Sequence, residues 1–574
     1  MTPVRRALRQ LFPAALPLRR PAPNGEPMST ALALIVIGLM AVAARFLYLN
    51  EIPPGLWYDE ALYALDGYKT SLGQWAIFYD EHGHPREPLF PWCLGLAFAL
   101  FDPTILVARC VSALWGTAAV ALFYPVALRF LPRRFALLAT AAFACFRWHV
   151  HFSRTIFRAG LASPMMLATV WLFLRWRERR HWVDAVLCGA AAGACLYTYI
   201  SLRLVPILLT VWIGWLATTG RLNLRREWRQ VALLYGALVV VFLPLGVDYV
   251  RHPQHFAERT GEITMFEKTV TETLPDGTQR DVRVPKTAGE ALSGLADNAV
   301  AVACAWFVLG DHVAKHNIPY RPVFDPVTGA LFVLGLGVSV VALVRGRGLA
   351  PVILLTWFGG FCMTSVMSFG APNILRMQGA SPVVILLMMI GLHRVVRAWP
   401  PGRLTNVRGM LPLVVVGFFG AMQMNDYFRV FPRDIRVRQE FTADVFVEPA
   451  RAVDEIAVRV GSVYIPEEFA GSLQVRFVTV RRENIRTFAP TDALGGPAAP
   501  GEGGEGAGEG GSRAWLVTQR SMQLAAEAGQ PPLQGIDQMP GARVVRSFAL
   551  PVESGVHPGL IVGHQTWAEL WVAD

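Results

Sequence analysis

The sequence has few charged residues. Aspartate, glutamate, lysine and arginine together occupy 17% of the 574 positions, whereas hydrophobic residues occupy 53%, and the mean hydropathy is +0.38. This composition is too apolar for an ordinary soluble protein, and the chain is long enough for more than one domain. We therefore expect a polytopic membrane protein.

Lysine and paired cysteines are scarce as well. Only four of the 53 basic residues are lysines, so the net charge of +11 is almost entirely arginine. The arginines stand in short clusters between apolar runs, which favours a bias toward arginine codons over nucleic-acid binding. None of the seven cysteines forms a CxxC pair, and all lie in or beside apolar runs. Neither a disulfide framework nor a zinc knuckle is expected.

The chain is instead rich in long apolar runs. Residues 1–28 carry several arginines and prolines and are expected to form a cytoplasmic tail. The run 29–49 supplies the roughly 20 apolar positions that cross a bilayer core of about 30 Å. We interpret it as an uncleaved first span, because a cleaved signal peptide would have a shorter apolar region ending in small residues. Further spans, about eleven in all, are predicted at residues 105–128, 135–150, 159–174, 183–199, 203–218, 230–249, 326–344, 350–368, 379–393 and 409–424.

The arginine-rich loops between these spans predict the topology. They all fall on the side of the N-terminal tail if residues 89–101 do not cross, and this side is cytoplasmic by the positive-inside rule. That run of thirteen residues, flanked by prolines, is too short to cross. Residues 50–104 and 250–325 then lie outside, the second with a hairpin over 268–285 and an interfacial apolar run at 298–309. We interpret residues 250–325 as a lid or acceptor groove.

Residues 426–574 change in character and are predicted to form a small extracytoplasmic α/β domain. The pattern indicates a helix at 434–460 and short strands at 462–465, 475–480, 514–518 and 543–550. The insert 495–512, which is rich in glycine, lacks apolar residues to bury and is expected to be disordered. No site chemistry stands out in this part.

The first outer segment carries a pair of carboxylates, Asp59 and Glu60, ahead of a predicted helix over 61–72. Asp59 is interpreted either as the N-cap of that helix, worth about 1 kcal/mol, or as a catalytic carboxylate. A carboxylate that caps a helix has a lowered pKa and is a weaker base. The catalytic interpretation gains from neighbours suited to proton abstraction and anion binding. They are Tyr58, Tyr63, His82, His84, Arg86 and Glu87.

Arginines at the outer ends of spans form the second pattern. Arg154, Arg158, Arg203 and Arg376 oppose the topological bias of basic residues. Bidentate binding of phosphate at the membrane surface would explain them. Snorkelling toward headgroups is the alternative for each arginine taken singly. On a helix, Arg154 and Arg158 would share one face.

Histidines at 82, 84, 149 and 151 suggest a metal site as one alternative, because alternate residues of an extended chain point to the same side. Hydrogen-bonding or capping roles are favoured. No metal ligand is assigned, no cofactor is predicted with certainty, and a divalent cation is left open.

In their order along the chain, these motifs resemble the GT-C membrane glycosyltransferases, over residues 29–425. The resemblance rests on Asp59-Glu60 in the first outer loop, Arg-Glu-Pro-Leu-Phe-Pro-Trp at 86–92, Ser-Arg-x-x-x-Arg at 153–158, and Asn-x-x-Arg-x-x-Gly-x-x-Pro at 373–382. Within this superfamily, the chain is most similar to the family-39-like group, which includes the protein O-mannosyltransferases and the lipid A aminoarabinose transferases. Relatives often have lysine in the Glu-x-Pro-type motif, whereas this chain has Arg86-Glu87-Pro88, in which the basic residue precedes the acidic one.

The resemblance implies transfer of a sugar from a polyprenyl-phosphate donor, usually with inversion, to a lipid, glycan or protein acceptor at the outer face of the membrane. Asp59 is then the base, supported by Glu60. Donor phosphate is bound by Arg158 and Arg376 first, and by Arg86 and Arg154 second. The remaining predicted substrate contacts are Tyr58, Tyr63, His82, His84 and Glu87.

Two other classes stay open. A transporter would show paired repeats, broken helices and ionisable residues at mid-membrane, whereas here the charges collect at span ends. A non-catalytic scaffold for envelope assembly would account for the outer tail. The sequence does not predict the sugar, the acceptor or the oligomeric state.

Overall fold

Long α-helices make up most of the chain. The computed structural model describes residues 16–19, 28–80, 85–256, 261, 264–273, 279–346, 348–399, 405–488, 513–519, 521, 523, 542–553 and 561–573. The insert 495–512 and most of the tail 1–28 lie outside these residues, so the predictions made for them are not tested.

The described residues contain the following α-helices, in chain order: α1 (Met28–Phe46), α2 (Tyr58–Ser71), α3 (Leu89–Phe98), α4 (Ile105–Phe130), α5 (Arg133–Ala144), α6 (Arg147–Phe152), α7 (Ala162–Arg179), α8 (Trp182–Cys195), α9 (Val205–Thr218), α10 (Leu224–Arg251), α11 (Ala288–Cys304), α12 (Pro326–Val344), α13 (Leu349–Val366), α14 (Ser381–Ala398), α15 (Thr405–Asn425), α16 (Ile435–Glu440), α17 (Glu448–Ala457), α18 (Glu467–Ala470) and α19 (Leu473–Val478). The strands are β1 (Glu267–Thr273), β2 (Gln279–Pro285), β3 (Ser462–Pro466), β4 (Ile485–Phe488), β5 (Arg513–Thr518), β6 (Arg543–Glu553) and β7 (Ile561–Ala573).

Eight helical segments of the described chain are long and apolar enough to cross a membrane. They are Met28–Phe46, Ile105–Phe130, Arg158–Arg179, Ile200–Thr218, Leu224–Arg251, Pro326–Val344, Leu349–Val366 and Gln378–Ala398. The polytopic helical fold class is therefore confirmed. The count of about eleven stays a prediction: the other three predicted spans fall on α5 with α6, on the 14-residue α8, and on α15.

Local sequence explains where these helices begin and how closely they pack. Asp325 caps α12 by accepting hydrogen bonds from the backbone N–H groups of residues 327 and 328, at 2.9 and 3.1 Å, and Pro326 fills the first helical position. Gly335 of α12 and Gly391 of α14 then allow a close helix crossing. A Cβ at Gly335 would lie 1.8 Å from the carbonyl oxygen of Leu387, and one at Gly391 would lie 1.9 Å from that of Leu331.

The chain divides into two compact units. The first comprises Met1–Leu49, Gly73–Cys93 and Arg109–Val430, and the second comprises Asn50–Leu72, Leu94–Ala108 and Phe431–Asp574. Most membrane-spanning candidates belong to the first unit. The predicted hairpin is confirmed there as an antiparallel pair of β1 and β2, in which Glu267 lies opposite Pro285. Residues 274–278, which connect the two strands, fall outside the described residues.

The second unit contains a five-stranded sheet in the order β4-β3-β5-β7-β6. β3 is parallel to β4 and β5, whereas β7 is antiparallel to β5 and β6. Its core includes Val453 of α17, Val463 and Ile465 of β3, Leu516 of β5 and Leu570 of β7. The small C-terminal α/β fold is confirmed, together with strands near 462–465, 514–518 and 543–550.

One predicted strand is wrong. Residues 473–478 form helix α19, where a strand had been expected over 475–480. Leu473 and Phe477 are four residues apart and both are buried, which is the spacing of a helix face. A short apolar run rich in valine does not distinguish a strand from a helix by its periodicity, and here packing selects the helix.

Candidate active site

The Asp59 segment belongs to the second unit. Helix α2 begins at Tyr58, so Asp59 and Glu60 occupy its second and third positions. The carboxylate of Glu60 is fully buried and its Oε2 accepts a hydrogen bond from the backbone N–H of Trp57 at 2.9 Å. Glu60, not Asp59, therefore satisfies the helix start. Asp59 is half-buried, Tyr58 is exposed and Tyr63 is buried.

A short loop fixes the start of this segment against the C-terminal part of the chain. Gly55 has a φ of +72°, and a Cβ there would lie 2.3 Å from the carbonyl oxygen of Phe441. The next residue, Leu56, donates its N–H to that same carbonyl at 2.8 Å. Thr442 donates its hydroxyl to the carbonyl of Leu56 at 3.0 Å. The residues after α16 thus fix the position of the loop that carries Asp59.

In the first unit, the carboxylate of Glu87 joins two arginines. Arg158 donates to Oε2 of Glu87, and Arg203 donates to Oε1 at 3.2 Å. The side chains of Arg158 and Glu87 are 1% and 2% exposed, and that of Arg203 is 18% exposed. Buried charges of this kind are found paired, because an isolated one is strongly disfavoured. The sequence groups Arg203 with the outer arginines that phosphate binding would explain, but it did not single out Arg203 for the donor phosphate or predict its pairing with Glu87.

Arg203 and Arg376 line the same cavity. Its volume is about 390 Å³, and its wall includes the apolar side chains of Ile200, Phe256 and Met367. The guanidinium of Arg203 lies 4.5 Å from the ring centre of Phe256 and donates to the hydroxyl of Tyr249 at 3.2 Å. The site therefore combines two guanidinium groups with apolar walls.

The backbone around Arg376 is held by a buried carboxylate. Asp311 Oδ2 accepts the N–H of Ile374 at 3.0 Å and lies 3.0 Å from Nδ1 of His316. Burial lowers the pKa of His316, against the raising effect of the Asp311 carboxylate. Asn373 Oδ1 accepts the N–H of Arg376 at 3.1 Å, and the guanidinium of Arg376 donates to the carbonyl of Phe369 at 2.8 Å.

Arg154 has a different environment from that expected. Its guanidinium is fully buried and donates to the carbonyls of Ala44, Leu47 and Tyr48, at 3.0, 2.7 and 2.9 Å. These are carbonyls at and after the end of α1, where intrahelical donors run out. We interpret Arg154 as a structural residue.

Arg154 and Arg158 do not lie on one continuous helix, so the condition for their shared face is not met. Helix α6 ends at Phe152, residues 153–157 are not helical, and Arg158 begins a separate 3₁₀ turn. The spacing of four residues predicts a shared face only where a helix is continuous.

Arg86 and the four histidines are the remaining site residues considered in the sequence. Tyr79 and Arg86 exchange backbone hydrogen bonds of 2.9 and 2.6 Å, and the side chain of Arg86 is buried. His82 and His84 lie outside the described residues. His149 Nδ1 lies 2.8 Å from Nη2 of Arg45, and His151 Nε2 lies 2.8 Å from the carbonyl oxygen of Lys315. For these last two the favoured hydrogen-bonding interpretation is confirmed.

Residues 83–245 match the family described as dolichyl-phosphate-mannose-protein mannosyltransferase, and this range contains Arg86, Glu87, Arg158 and Arg203. No curated protein sequence gives a significant match to the chain.

Solved structures extend the likeness over nearly the whole chain. The crystal structure of ArnT from Cupriavidus metallidurans bound to undecaprenyl phosphate aligns with a TM-score of 0.53 and 12% identity, covering 95% of this chain and 98% of ArnT. Its apo form gives a TM-score of 0.52 and 12% identity, over 95% of this chain and 97% of ArnT. An Archaeoglobus fulgidus oligosaccharyltransferase tethered with an acceptor peptide gives a TM-score of 0.45 and 12% identity, over 79% of this chain and 63% of its own. The two ArnT alignments show that the fold is shared.

Proposed function

We propose that this chain is a membrane glycosyltransferase of the GT-C type, and that it transfers a sugar from a polyprenyl-phosphate donor to an acceptor at the outer face of the cytoplasmic membrane. The acceptor belongs to the lipids, glycans or proteins of the cell envelope, and the sugar is a hexose or a pentose. Residues 29–425 form the catalytic membrane domain, and residues 426–574 form an extracytoplasmic domain. The N-terminal tail lies in the cytoplasm.

The cavity lined by Arg203 and Arg376 supports this function most. A polyprenyl phosphate has an anionic head on an apolar chain, and the cavity offers guanidinium groups beside Phe256 and Met367. ArnT, which has a similar fold, was crystallised with undecaprenyl phosphate, which is itself a polyprenyl phosphate. A transporter has no comparable observation in its favour.

The charges of Arg158, Arg203, Arg376 and Glu87 favour binding of the leaving phosphate over binding of the intact donor. Arg158, Arg203 and Arg376 contribute three positive charges and Glu87 one negative charge, so these four residues carry a net charge of +2. The donor phosphodiester carries one negative charge, and the phosphate released when its bond to the anomeric carbon breaks carries up to two. Interactions that strengthen as this charge develops lower the barrier to reaction.

Proton transfer is assigned to Asp59. The acceptor oxygen attacks the anomeric carbon, its proton passes to the carboxylate, and the bond from the anomeric carbon to the phosphate oxygen breaks, with inversion. Asp59 suits this role because Glu60 satisfies the backbone at the start of α2. Glu60 supports the segment, while Tyr58 and Tyr63 are assigned to substrate contacts.

The test measures release of free polyprenyl phosphate from a panel of labelled polyprenyl-phosphate sugars. Purified full-length protein in lipid nanodiscs is supplied with envelope extract as acceptor, and wild type is compared with Asp59→Asn. We expect one donor to be turned over by wild type, and the nearly isosteric variant to lose at least 100-fold in rate, in the range typical of a lost general base.

Glu51→Gln is the matched control, because Glu51 is an exposed carboxylate in the same outer segment. It should retain wild-type turnover. Full activity of the Asp59→Asn variant would refute the assignment of the base. Absence of turnover of every donor by wild type would refute the glycosyltransferase proposal itself.

A further inference from the structure

Three side chains at the C-terminal end of α10 converge on one point. Asp248 lies in the last turn of α10, His252 is the first residue after the helix, with φ −129° and ψ 74°, and His255 lies in the short helical turn that follows. Asp248 Oδ1 lies 3.2 Å from Nδ1 of His252, and Asp248 Oδ2 lies 2.8 Å from Nδ1 of His255. One ligand-type atom from each residue lies within 4.8 Å of those of the other two.

Two imidazoles and one carboxylate form a ligand set that zinc and neighbouring first-row divalent ions accept. An ion that binds all three would leave further coordination positions to water or to a ligand. The carboxylate of Asp80, whose side chain is 65% exposed, lies on the opposite side of one of these rings, 3.6 Å from Nε2 of His255 and just beyond hydrogen-bonding distance. A carboxylate that receives the other ring N–H is the usual outer partner of a metal-bound histidine, because it fixes the orientation of the ring.

The ring of His255 is also fixed by packing. It stacks on Phe78, with ring centres 4.5 Å apart and planes inclined by 18°, and its side chain is only 12% exposed. His252 is 50% exposed, so the site is open to solvent on that side. An ion has an entry path, while one of its ligands is held in place beforehand.

We propose that Asp248, His252 and His255 bind one divalent transition-metal ion of the zinc class, with Asp80 orienting His255. The next residue in the chain, Phe256, lies over the guanidinium of Arg203 and forms part of the cavity wall. The ion joins the end of α10 to the segment that follows it and so holds this wall in place. Its proposed ligands are residues to which the sequence analysis assigns no role.

Metal content and spectroscopy test the site without any need for an active enzyme. The full-length protein is purified in nanodiscs through a tag that contains no histidine, stripped with a chelator, dialysed and titrated with Co²⁺. We expect about one ion per chain and visible d–d absorption bands, which Zn²⁺ displaces. Zinc should also raise the midpoint of thermal unfolding of the stripped protein.

Single substitutions locate the ligands. His252→Ala and His255→Ala should each lose at least tenfold in Co²⁺ affinity, and Asp80→Asn should lose about 10- to 100-fold, as for an outer partner. His312→Ala replaces an exposed histidine of the same outer segment and should bind as wild type does. The thermal unfolding midpoint of each metal-free variant checks that it is folded.

The structure also admits an arrangement without metal, in which the ring of His255 simply lies between the carboxylates of Asp80 and Asp248. In that case wild type would bind no stoichiometric Co²⁺ and zinc would leave its unfolding midpoint unchanged, and the proposal would be overturned. Equal Co²⁺ affinity in wild type and both histidine variants would overturn it too.

Discussion

The carboxylate of Glu87 is bonded to the guanidinium of Arg158 in the interior of the first unit, and both side chains are almost completely excluded from solvent. The second oxygen of Glu87 is bonded to Arg203, which is partly exposed and lines the cavity. The carboxylate thus joins a buried arginine to one that a ligand can reach. This arrangement holds the guanidinium of Arg203 in position before any phosphate binds, which limits the ordering required on binding.

Replacing Arg203 with lysine tests the need for a planar donor. Lysine keeps the charge but loses the fork that pairs with Glu87 and a phosphate together. We expect kcat/KM for the donor to fall about tenfold, which corresponds to about 1.4 kcal/mol. Arg251→Lys, at an exposed arginine at the end of α10, is the control and should behave as wild type. Equal losses in the two variants would show that the site does not depend on the geometry of Arg203.

Replacing Glu87 with glutamine tests the buried ion pair. The change leaves two arginines without their shared carboxylate, and breaking a buried pair in this way costs about 3–5 kcal/mol of unfolding free energy. Glu178→Gln is the control, because the side chain of Glu178, which pairs with Arg129, is 27% exposed, so loss of this partly exposed pair should cost less than loss of the buried one. Unfolding in detergent by a chemical denaturant measures both. A loss in Glu87→Gln no larger than that in Glu178→Gln would contradict a buried structural role for Glu87.

Sequence patterns predicted those features that depend on local chemistry. The span predicted at 326–344 coincides with α12, whose start Asp325 caps, and the hairpin predicted over 268–285 coincides with β1 and β2. The pairing of Glu87 with Arg158 was not predicted, because 71 positions separate the two residues and no periodicity links them. Arg203 was missed as a cavity residue for the same reason.

The two acidic residues at 59 and 60 show where local reasoning fails. Either carboxylate satisfies the sequence signature of a capped helix, and the choice depends on whether the helix begins at residue 58 or after residue 60. The helix begins at Tyr58. Glu60 therefore lies three positions after Trp57, and its carboxylate accepts the hydrogen bond from the backbone N–H of Trp57. Such a shift of a few residues lies within the uncertainty of any helix boundary inferred from a pattern.

The contacts of the loop before Asp59 with Phe441 indicate a role for the C-terminal domain in the reaction. Gly55→Ala introduces a Cβ that would clash with the carbonyl of Phe441 and would also occupy a backbone conformation that L-residues avoid. We expect turnover to fall at least tenfold while donor binding, followed by the thermal shift with polyprenyl phosphate, is retained. The reason is that the substitution displaces the segment carrying Asp59 and leaves Arg203 and Arg376 intact.

Gly73→Ala separates the two effects of that substitution. Gly73 also has a positive φ, of +88°, but a Cβ there would meet no atom within 4 Å. It should therefore cause only the modest destabilisation of a strained backbone, of the order of 1 kcal/mol, with turnover close to wild type. If the two variants lose activity equally, contact with Phe441 does not matter for the reaction.

We expect Asp311 to position the donor site through the backbone. Its carboxylate accepts the N–H groups of Val313 and Ile374, and the second of these lies two residues before Arg376. Asparagine at 311 keeps the size of the side chain but has one acceptor oxygen, so one buried N–H loses its partner at a cost of about 1–3 kcal/mol. We expect the KM for the donor to rise several-fold and the thermal shift with polyprenyl phosphate to shrink, since Arg376 is less firmly positioned. Asp297→Asn, at an exposed aspartate of α11, should change neither quantity. A fall in stability in Asp311→Asn with an unchanged KM would mean that Asp311 supports the fold without positioning Arg376.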